Sequence, residues 1–243
     1  RSRNQDAFIK EDGVVMTATV AFGMGIDKPD VRFVAHLDMP GSIEAYYQET
    51  GRAGRDGDPA AAWMCYAMSD VVLRRRMIDD GAAPEEVKRV ERSKLNALLN
   101  ICETTTCRRQ AILSWFGEAH PGNCGNCDNC LTPADTWDAT DAVIKAMSAI
   151  YRTGERFGMM HVVDVLTGKA TEKVERLGHD KLAVFGKGAD VDAKTWQSVL
   201  RQISASGLVV VGSEHGGLSL SEEARPILRG EQRVMLRRDT HKR

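Results

Sequence analysis

The stretch Gln48-Glu49-Thr50-Gly51-Arg52-Ala53-Gly54-Arg55-Asp56-Gly57 decides how the rest of this chain is interpreted. It places two arginines three positions apart, each directly after a glycine. A guanidinium is always charged and presents a planar fork of donors that matches phosphate oxygens. Glycine frees the backbone and lets it approach a ligand closely. The stretch therefore predicts a phosphate-contacting loop, with a glycine-rich surface turn carrying solvated arginines as the alternative.

Apolar segments on both sides of this loop indicate a parallel α/β unit. We predict a short buried strand at residues 14–16, apolar strands at 31–37 and 60–66, and a helix that Ser42 caps and that ends at Gly51. Ligands bind at the carboxyl ends of parallel strands, so the glycine loop after Thr19 is a candidate site. Cys65, which has no cysteine neighbour, is expected to be a small buried side chain.

Composition limits the function classes that remain. The chain has 243 residues, 42% of them hydrophobic and 28% charged, as in ordinary globular proteins. The net charge is −1, so a nucleic-acid surface would have to be a local patch. We find no apolar run of membrane-spanning length and no signal peptide, and we expect a cytoplasmic protein without a membrane partner. Cysteines bunched at metal-like spacing also favour a reducing compartment.

A second strong pattern is the cysteine spacing C-x16-C-x2-C-x2-C. Two-residue gaps aim successive thiolates at one centre, and four thiolates suit a structural Zn²⁺ ion. An iron–sulfur cluster is the rival, because it also uses cysteine runs with such gaps. Cys102 and His120 compete for the fourth position. The spacing nominates Cys124, Cys127 and Cys130 as ligands, with Cys107 as the first candidate for the fourth position.

The last hundred residues predict helices at 141–151, 160–166 and 193–204, followed by a hairpin of strands 208–211 and 218–220. Three helices and a β-wing in this order are typical of a winged helix. The basic tail at 233–243 is expected to be disordered and to attract phosphates non-specifically. The candidate DNA contacts of this module are Lys181, Lys187, Lys194, Arg201 and His215.

Several segments resemble the RecQ family of DNA helicases. ATVAFGMGIDKPDVRF at 18–33 and YYQETGRAGRDG at 46–57 are similar to two consecutive motifs in the second motor lobe of superfamily-two helicases. Cys107 followed by Arg-Arg-Gln is similar to the RecQ zinc platform, which favours Cys107 as the fourth ligand. RFGM at 156–159 and GHDKL at 178–182 are similar to the RecQ C-terminal region. The resemblance covers residues 3–230.

This resemblance implies an α/β plus mostly α architecture in three parts. They are the C-terminal part of a second RecA-like parallel α/β lobe (1–72), a helical four-cysteine zinc-binding subdomain (73–134) and a winged-helix domain (135–232), followed by the tail. Thr19 is implied to face the nucleic-acid backbone, or else to be a strand-end hydroxyl. The positions implied to act in ATP hydrolysis are Gln48, Arg52 and Arg55, the arginines as fingers that sense the γ-phosphate. The positions implied to border the ATP site are Gly25, Asp27, Gly51 and Gly54.

The implied function is that of the C-terminal portion of an ATP-dependent 3′-to-5′ DNA helicase that unwinds duplex DNA in recombination and repair. The sequence contains no Gly-x-x-x-x-Gly-Lys-[Ser/Thr] loop and no Asp-Glu-x-His box, so this fragment alone is expected to be inactive. The implied cofactors are Zn²⁺ and ATP with Mg²⁺, mostly held by a first lobe. The implied partners are DNA, ATP and a single-strand-binding protein. The alternative is a zinc and winged-helix DNA-binding or regulatory module with an inactive motor remnant.

Overall fold

The structure is a computed structural model that describes residues 2–19, 28–212 and 216–239. The chain forms two compact units, residues 1–66 and 67–243, in a mixed α/β architecture. Gly25, Asp27 and His215, which the sequence nominates as site residues, lie outside the described residues.

The first unit contains a two-stranded parallel sheet. Strands β1 (Phe33–His36) and β2 (Ala61–Met64) pair in parallel, with Phe33 opposite Ala61. Both predicted strands are thereby confirmed. Parallel neighbours need a crossover connection, and helix α2 (Ile43–Thr50) lies in it. Helix α1 (Ser2–Lys10) precedes them.

Helix α2 has the ends that the sequence predicts. The Ser42 hydroxyl accepts a hydrogen bond from the backbone N–H of Ala45 at 3.2 Å. A serine oxygen at this place satisfies one of the donors that a helix start leaves unpaired. The helix ends at Gly51, whose N–H donates to the carbonyl of Tyr47 at 2.9 Å. The arginine stretch therefore begins at a defined point.

Two predictions for this unit are wrong. Residues 14–16 form no strand, and Val15 is 67% exposed. Within the described ranges β1 and β2 pair only with each other, so these residues have no strand to bond. Cys65 is exposed rather than buried, because the two-stranded sheet leaves side chains such as Trp63 uncovered.

The second unit begins with helices that carry the cysteines. The long helix Glu85–Glu103 buries Leu95, Leu98, Leu99 and Ile101, whereas Val87 near its start is exposed. These helices are α3 (Met68–Asp80), α4 (Glu85–Glu103), α5 (Arg108–Trp115) and α6 (Asp128–Leu131).

The rest of the unit packs around one apolar core. Its predicted helices and hairpin are confirmed within one residue at most ends, and Trp196, Val199, Leu200 and Ile203 of the last long helix are all buried. The helices are α7 (Thr140–Arg152), α8 (Met159–Thr167), α9 (Glu172–Arg176), α10 (Ala193–Ala205) and α11 (Arg225–Leu228). Short 3₁₀ turns lie at His179–Lys181 and Glu222–Ala224. The antiparallel hairpin strands are β4 (Val209–Val211) and β5 (Leu218–Leu220).

The expected disorder of the basic tail is wrong for its first part. Strand β6 (Met235–Arg237) pairs antiparallel with β3 (Thr136–Asp138), and Leu236 is 6% exposed. The start of the tail is therefore ordered by the buried Leu236 and by pairing with β3, which is distant in the sequence. The basic composition of the tail does not reveal either contact. Residues 240–243 lie outside the described chain.

Candidate metal centre and arginine loop

The arginine loop, residues 51–57, is fixed to the chain that precedes β1. The N–H of Gly54 donates to the carbonyl of Val31 at 2.9 Å, and that of Asp56 to the carbonyl of Pro29 at 3.3 Å. Gly54 has a φ of +69°, and a Cβ there would lie 2.9 Å from the carbonyl oxygen of Asp58. The middle glycine of the motif is therefore required by the backbone.

An ion pair and a histidine–carboxylate hydrogen bond hold the loop at its ends. The guanidinium of Arg32 bonds to the carboxylate of Asp56, and this hydrogen bond lowers the pKa of Asp56. At the other end, Nε2 of His36 lies 2.6 Å from Oε2 of Glu49 in the last turn of α2. Neither pair was anticipated from the sequence, although Asp56 and Glu49 stand inside the quoted stretch. The backbone that carries both arginines is thus fastened to β1 and its entry.

The structure brings five of the predicted nucleotide-site residues together at this helix end and loop. Arg52 is half-buried, while Arg55 and Gln48 are exposed. Nε of Arg55 donates to the carbonyl of Gly51 at 3.4 Å, across the turn that Gly54 completes. Thr19 is also exposed, outside any helix or strand. An exposed guanidinium on a fixed backbone is the arrangement that can reach a phosphate.

The four predicted cysteines form one cluster in the second unit. The sulfur atoms of Cys107, Cys124, Cys127 and Cys130 all lie within 4.8 Å of one another. Cys107 precedes α5, and Cys127 precedes the short helix α6 that contains Cys130. Between the two elements, Asn123 with φ +47° and Gly125 with φ +66° turn the chain back on itself.

The spacing of the sulfurs fits a single tetrahedral ion. Four thiolates about 2.3 Å from one Zn²⁺ are about 3.8 Å apart, and Sγ of Cys124 and Cys130 lie 3.9 Å apart. The N–H of Cys127 donates to Sγ of Cys124 at 3.3 Å and lowers the pKa of that thiol. In a four-iron cluster each thiolate binds a different iron, which requires a wider set. The geometry therefore favours one ion over a cluster.

Neither competitor for the fourth position belongs to this set. Cys102 lies outside the cluster, and burial raises the pKa of its thiol to about 12. Nδ1 of His120 accepts the N–H of Gly122 at 3.0 Å.

Polar side chains beside the cysteines lock the two halves of the cluster. Arg108 makes a bidentate pair with Asp128, at 2.6 and 2.8 Å. Nδ2 of Asn129 donates to the carbonyls of Thr104 and Thr106, both at 2.7 Å. The sequence did contain a signal for the Arg108–Asp128 pair, because Arg108 directly follows Cys107 and Asp128 directly follows Cys127.

The candidate DNA contacts of the C-terminal segment differ in their exposure and pairing. Lys181, Lys187 and Lys194 are exposed. Arg201, which we expected to contact DNA, is instead paired within the protein. Its guanidinium lies 2.7 Å from both Glu103 and Asp239. Its attractive partners come from distant parts of the chain, so Arg201 leaves the set of candidate contacts.

Sequence reasoning also missed a buried histidine pair. Nε2 of His161 lies 2.8 Å from Nδ1 of His179, and the ring of Phe157 stacks on His161 at 4.4 Å between centroids. Arg156 and Lys173 lie over the Phe157 ring at 5.4 Å. Histidines far apart in the sequence give no local signal of such a contact.

Comparison with known proteins indicates the family of this chain. Family models match the chain in succession: the helicase conserved C-terminal domain at residues 1–57, the RecQ zinc-binding domain at 68–131 and the RQC domain at 133–243. The ATP-dependent DNA helicase RecQ of Pasteurella multocida is 44% identical over 97% of this chain. The protein of the same name from Haemophilus influenzae is 43% identical over the same share. The chain belongs to the RecQ family.

This RecQ chain corresponds to a C-terminal portion of its relatives. It spans 38% of the length of the two bacterial proteins. The RecQ-like DNA helicase blm-1 of Caenorhabditis elegans is 34% identical over 84% of the chain and 22% of its own length. Among the residues that the structure describes, no helix of this RecQ chain is long and apolar enough to span a membrane.

Proposed function

We propose that this chain supplies the arginine fingers and the DNA-binding modules of an ATP-dependent 3′-to-5′ DNA helicase that acts in recombination and repair. The observation that carries the proposal is the arginine loop, whose backbone is bonded to residues 29–31 and whose Arg55 is exposed. The relatives that bear the name ATP-dependent DNA helicase match the chain across this loop and the cysteine cluster.

Arg52 and Arg55 stabilise the charge that develops on the γ-phosphate during its transfer. Phosphoryl transfer depends on positioning and on electrostatic stabilisation of equatorial oxygens, which a guanidinium fork provides. A donor held on a fixed backbone needs no reorganisation at the moment of reaction. Gln48 lies in the last turn of α2 beside them, and Gly51 and Gly54 let the loop approach the nucleotide. A preceding RecA-like lobe holds ATP and Mg²⁺, and Gly25 and Asp27 border that site.

Cys107, Cys124, Cys127 and Cys130 hold one structural Zn²⁺. Their mutual distances and the match to the RecQ zinc-binding model support this assignment. A closed set of four thiolates leaves no open coordination position, so the ion contributes folding energy rather than catalysis. Arg108 and Asn129 orient the two segments that carry the ligands.

The C-terminal segment is a winged helix that grips duplex DNA. Helices α7, α8 and α10 and the β4–β5 hairpin follow the order of that fold, and the segment matches the RQC domain. In this segment, the exposed Lys181, Lys187 and Lys194 contact DNA phosphates. In the first unit, Thr19 faces the nucleic-acid backbone. The partners are single-stranded and junction DNA, ATP and a single-strand-binding protein in the cytoplasm.

The direct experiment joins this chain to the preceding part of its own gene product. The joined protein should hydrolyse ATP only with DNA present and should unwind a duplex with a 3′ single-stranded tail. The 243-residue chain should do neither. DNA binding by the joined protein without any DNA-stimulated hydrolysis would instead favour a zinc and winged-helix binding module with an inactive motor remnant.

A further inference from the structure

A closed ring of charges joins the zinc-binding helices to the C-terminal segment. Glu103, the last residue of α4, lies 2.7 Å from Arg201 in α10 and 3.1 Å from Arg237 in β6. Asp239 completes the ring, at 2.7 Å from Arg201 and 3.4 Å from Arg237. Carboxylates and guanidiniums alternate around it, so its net charge is zero.

This ring is largely withdrawn from water. The Glu103 side chain is 5% exposed, and those of the other three members are 20–25% exposed. Burial acts to lower the pKa of Arg201, but Glu103 and Asp239 raise it overall. Removing one member of a buried ion pair leaves an uncompensated buried charge. This destabilises the protein by more than the intact pair stabilised it. The ring therefore resists any separation of α4 from α10 and β6.

A second buried link joins α3 to the β4–β5 hairpin. The guanidinium of Arg75 in α3, a residue only 5% exposed, donates to the carbonyl of Val211 at 2.9 Å. It also donates to Oδ1 of Asn96 in α4 at 2.7 Å. Val211 is the last residue of β4, so Arg75 fastens the hairpin directly to the zinc-binding helices.

Apolar packing adds to these two links. Helix α4 packs on α10, and Met68 and Val72 of α3 pack against the C-terminal core. Residues 67–243 accordingly form one compact unit, although two separate family models match its halves.

We propose that the zinc-binding helices and the C-terminal segment unfold as one cooperative unit, with Glu103 and Arg75 as the residues that couple them. When thiolates bind an ion only in the folded state, the binding free energy of the ion adds to the free energy of folding. Through the two links this stabilisation reaches α10 and the hairpin, which contain no metal ligand. Loss of the metal then destabilises the whole of residues 67–243.

Hydrogen exchange of the whole chain, read by peptide under rising denaturant, tests this coupling. In the wild-type chain, peptides of α4 and α5 and peptides of α7, α8 and α10 should open with the same midpoint, at which zinc is also released to a colorimetric chelator. Stripping the metal should speed exchange in α10 by roughly 100-fold or more, because the binding energy of the ion is then lost from the stability of the whole unit.

Glu103→Gln should separate the two midpoints, whereas Glu86→Gln, an exposed glutamate on the same helix, should leave them coincident. If Glu103→Gln does not fold, Arg75→Met provides the same comparison at the hairpin end. Different midpoints in the wild-type chain, or unchanged α10 protection after metal removal, would overturn the proposal. So would coincident midpoints in both Glu103→Gln and Arg75→Met.

Discussion

The buried His161–His179 pair is the residue-scale feature with a direct consequence for pH. Burial lowers the pKa of both rings; the positive potential of His179 and Lys173 adds to this at His161, and that of Arg156 at His179. One ring donates to the other, so the accepting ring must be neutral, and protonation of both rings breaks the contact. Carboxylates of Asp164 and Asp180 act in the opposite direction without reversing the shift.

We predict that the chain loses stability as pH falls from about 7.5 to 5. The unfolded histidines have a pKa near 6.5, above that of the folded pair, so the unfolded state binds more protons below that pH. Melting temperature against pH is the measurement. His161→Gln should flatten the curve, while His241→Gln, far from the pair in sequence, should not. A wild-type melting temperature that does not change over this range would contradict the assignment.

A second residue-scale prediction concerns the metal ligands. The wild-type chain should contain one zinc per molecule, and Cys124→Ser should lose it and unfold at a much lower temperature. Structural zinc contributes roughly 10–16 kcal/mol of apparent binding energy in small peptides, which accounts for the size of the effect. Elemental analysis with thermal melting is the measurement. Cys102→Ser, at a cysteine outside the cluster, should keep its zinc; iron in place of zinc would refute the prediction.

At the scale of elements, the arginine loop offers a matched pair of glycines. Gly54→Ala should destabilise the first unit by about 1–2 kcal/mol or more, because a side chain at φ +69° is strained and its Cβ would clash with the Asp58 carbonyl. Gly57 has φ +89° but no atom within 4 Å of an added Cβ, so Gly57→Ala should cost less. Hydrogen exchange of residues 43–64 compares them. Equal effects would mean that the close approach at Gly54 is unimportant.

Helices were better predicted than strands and ion pairs, for a physical reason. The apolar spacing of α10 and the Ser42 cap of α2 are local patterns, so the sequence predicts both elements. Residues 14–16 have the composition of a strand, but a strand also needs a neighbour, which local sequence does not reveal. The cysteine set was predictable because its ligands follow a spacing rule. Arg201 was misassigned because its carboxylate partners lie 98 and 38 positions away.

At the scale of the whole molecule, DNA binding should be weak, without sequence preference and salt-dependent. A patch that neutralises three or four phosphates gives a slope of log K against log salt of roughly −3. Fluorescence anisotropy of a labelled duplex with the whole chain measures it. Lys181→Ala with Lys194→Ala should reduce both affinity and slope, whereas Lys10→Ala, an exposed lysine of the other unit, should change neither. Binding that is independent of salt would favour a protein partner for this segment.

ATP hydrolysis tests the arginine loop in the context of the complete motor. The chain alone should hydrolyse no ATP, because its sequence contains neither a phosphate-binding loop nor a magnesium box. Once it is joined to its preceding lobe, Arg52→Ala or Arg55→Ala should lower DNA-stimulated turnover by about 10³–10⁵, as for other arginine fingers. That range corresponds to roughly 4–7 kcal/mol of transition-state stabilisation.

Nucleotide affinity should fall far less than turnover in these variants, since in the proposed motor the preceding lobe makes most of the ground-state contacts. Lysine at either position should not restore turnover, because an ammonium cannot reproduce the bidentate fork of a guanidinium. Arg3→Ala, at an exposed arginine of the same unit, is the matched control and should retain full turnover. Steady-state ATPase rates with and without DNA, together with nucleotide affinities, separate the two effects. If both alanine variants keep wild-type turnover, the backbone bonds of the loop serve the fold alone, and another group must stabilise the transferring phosphoryl.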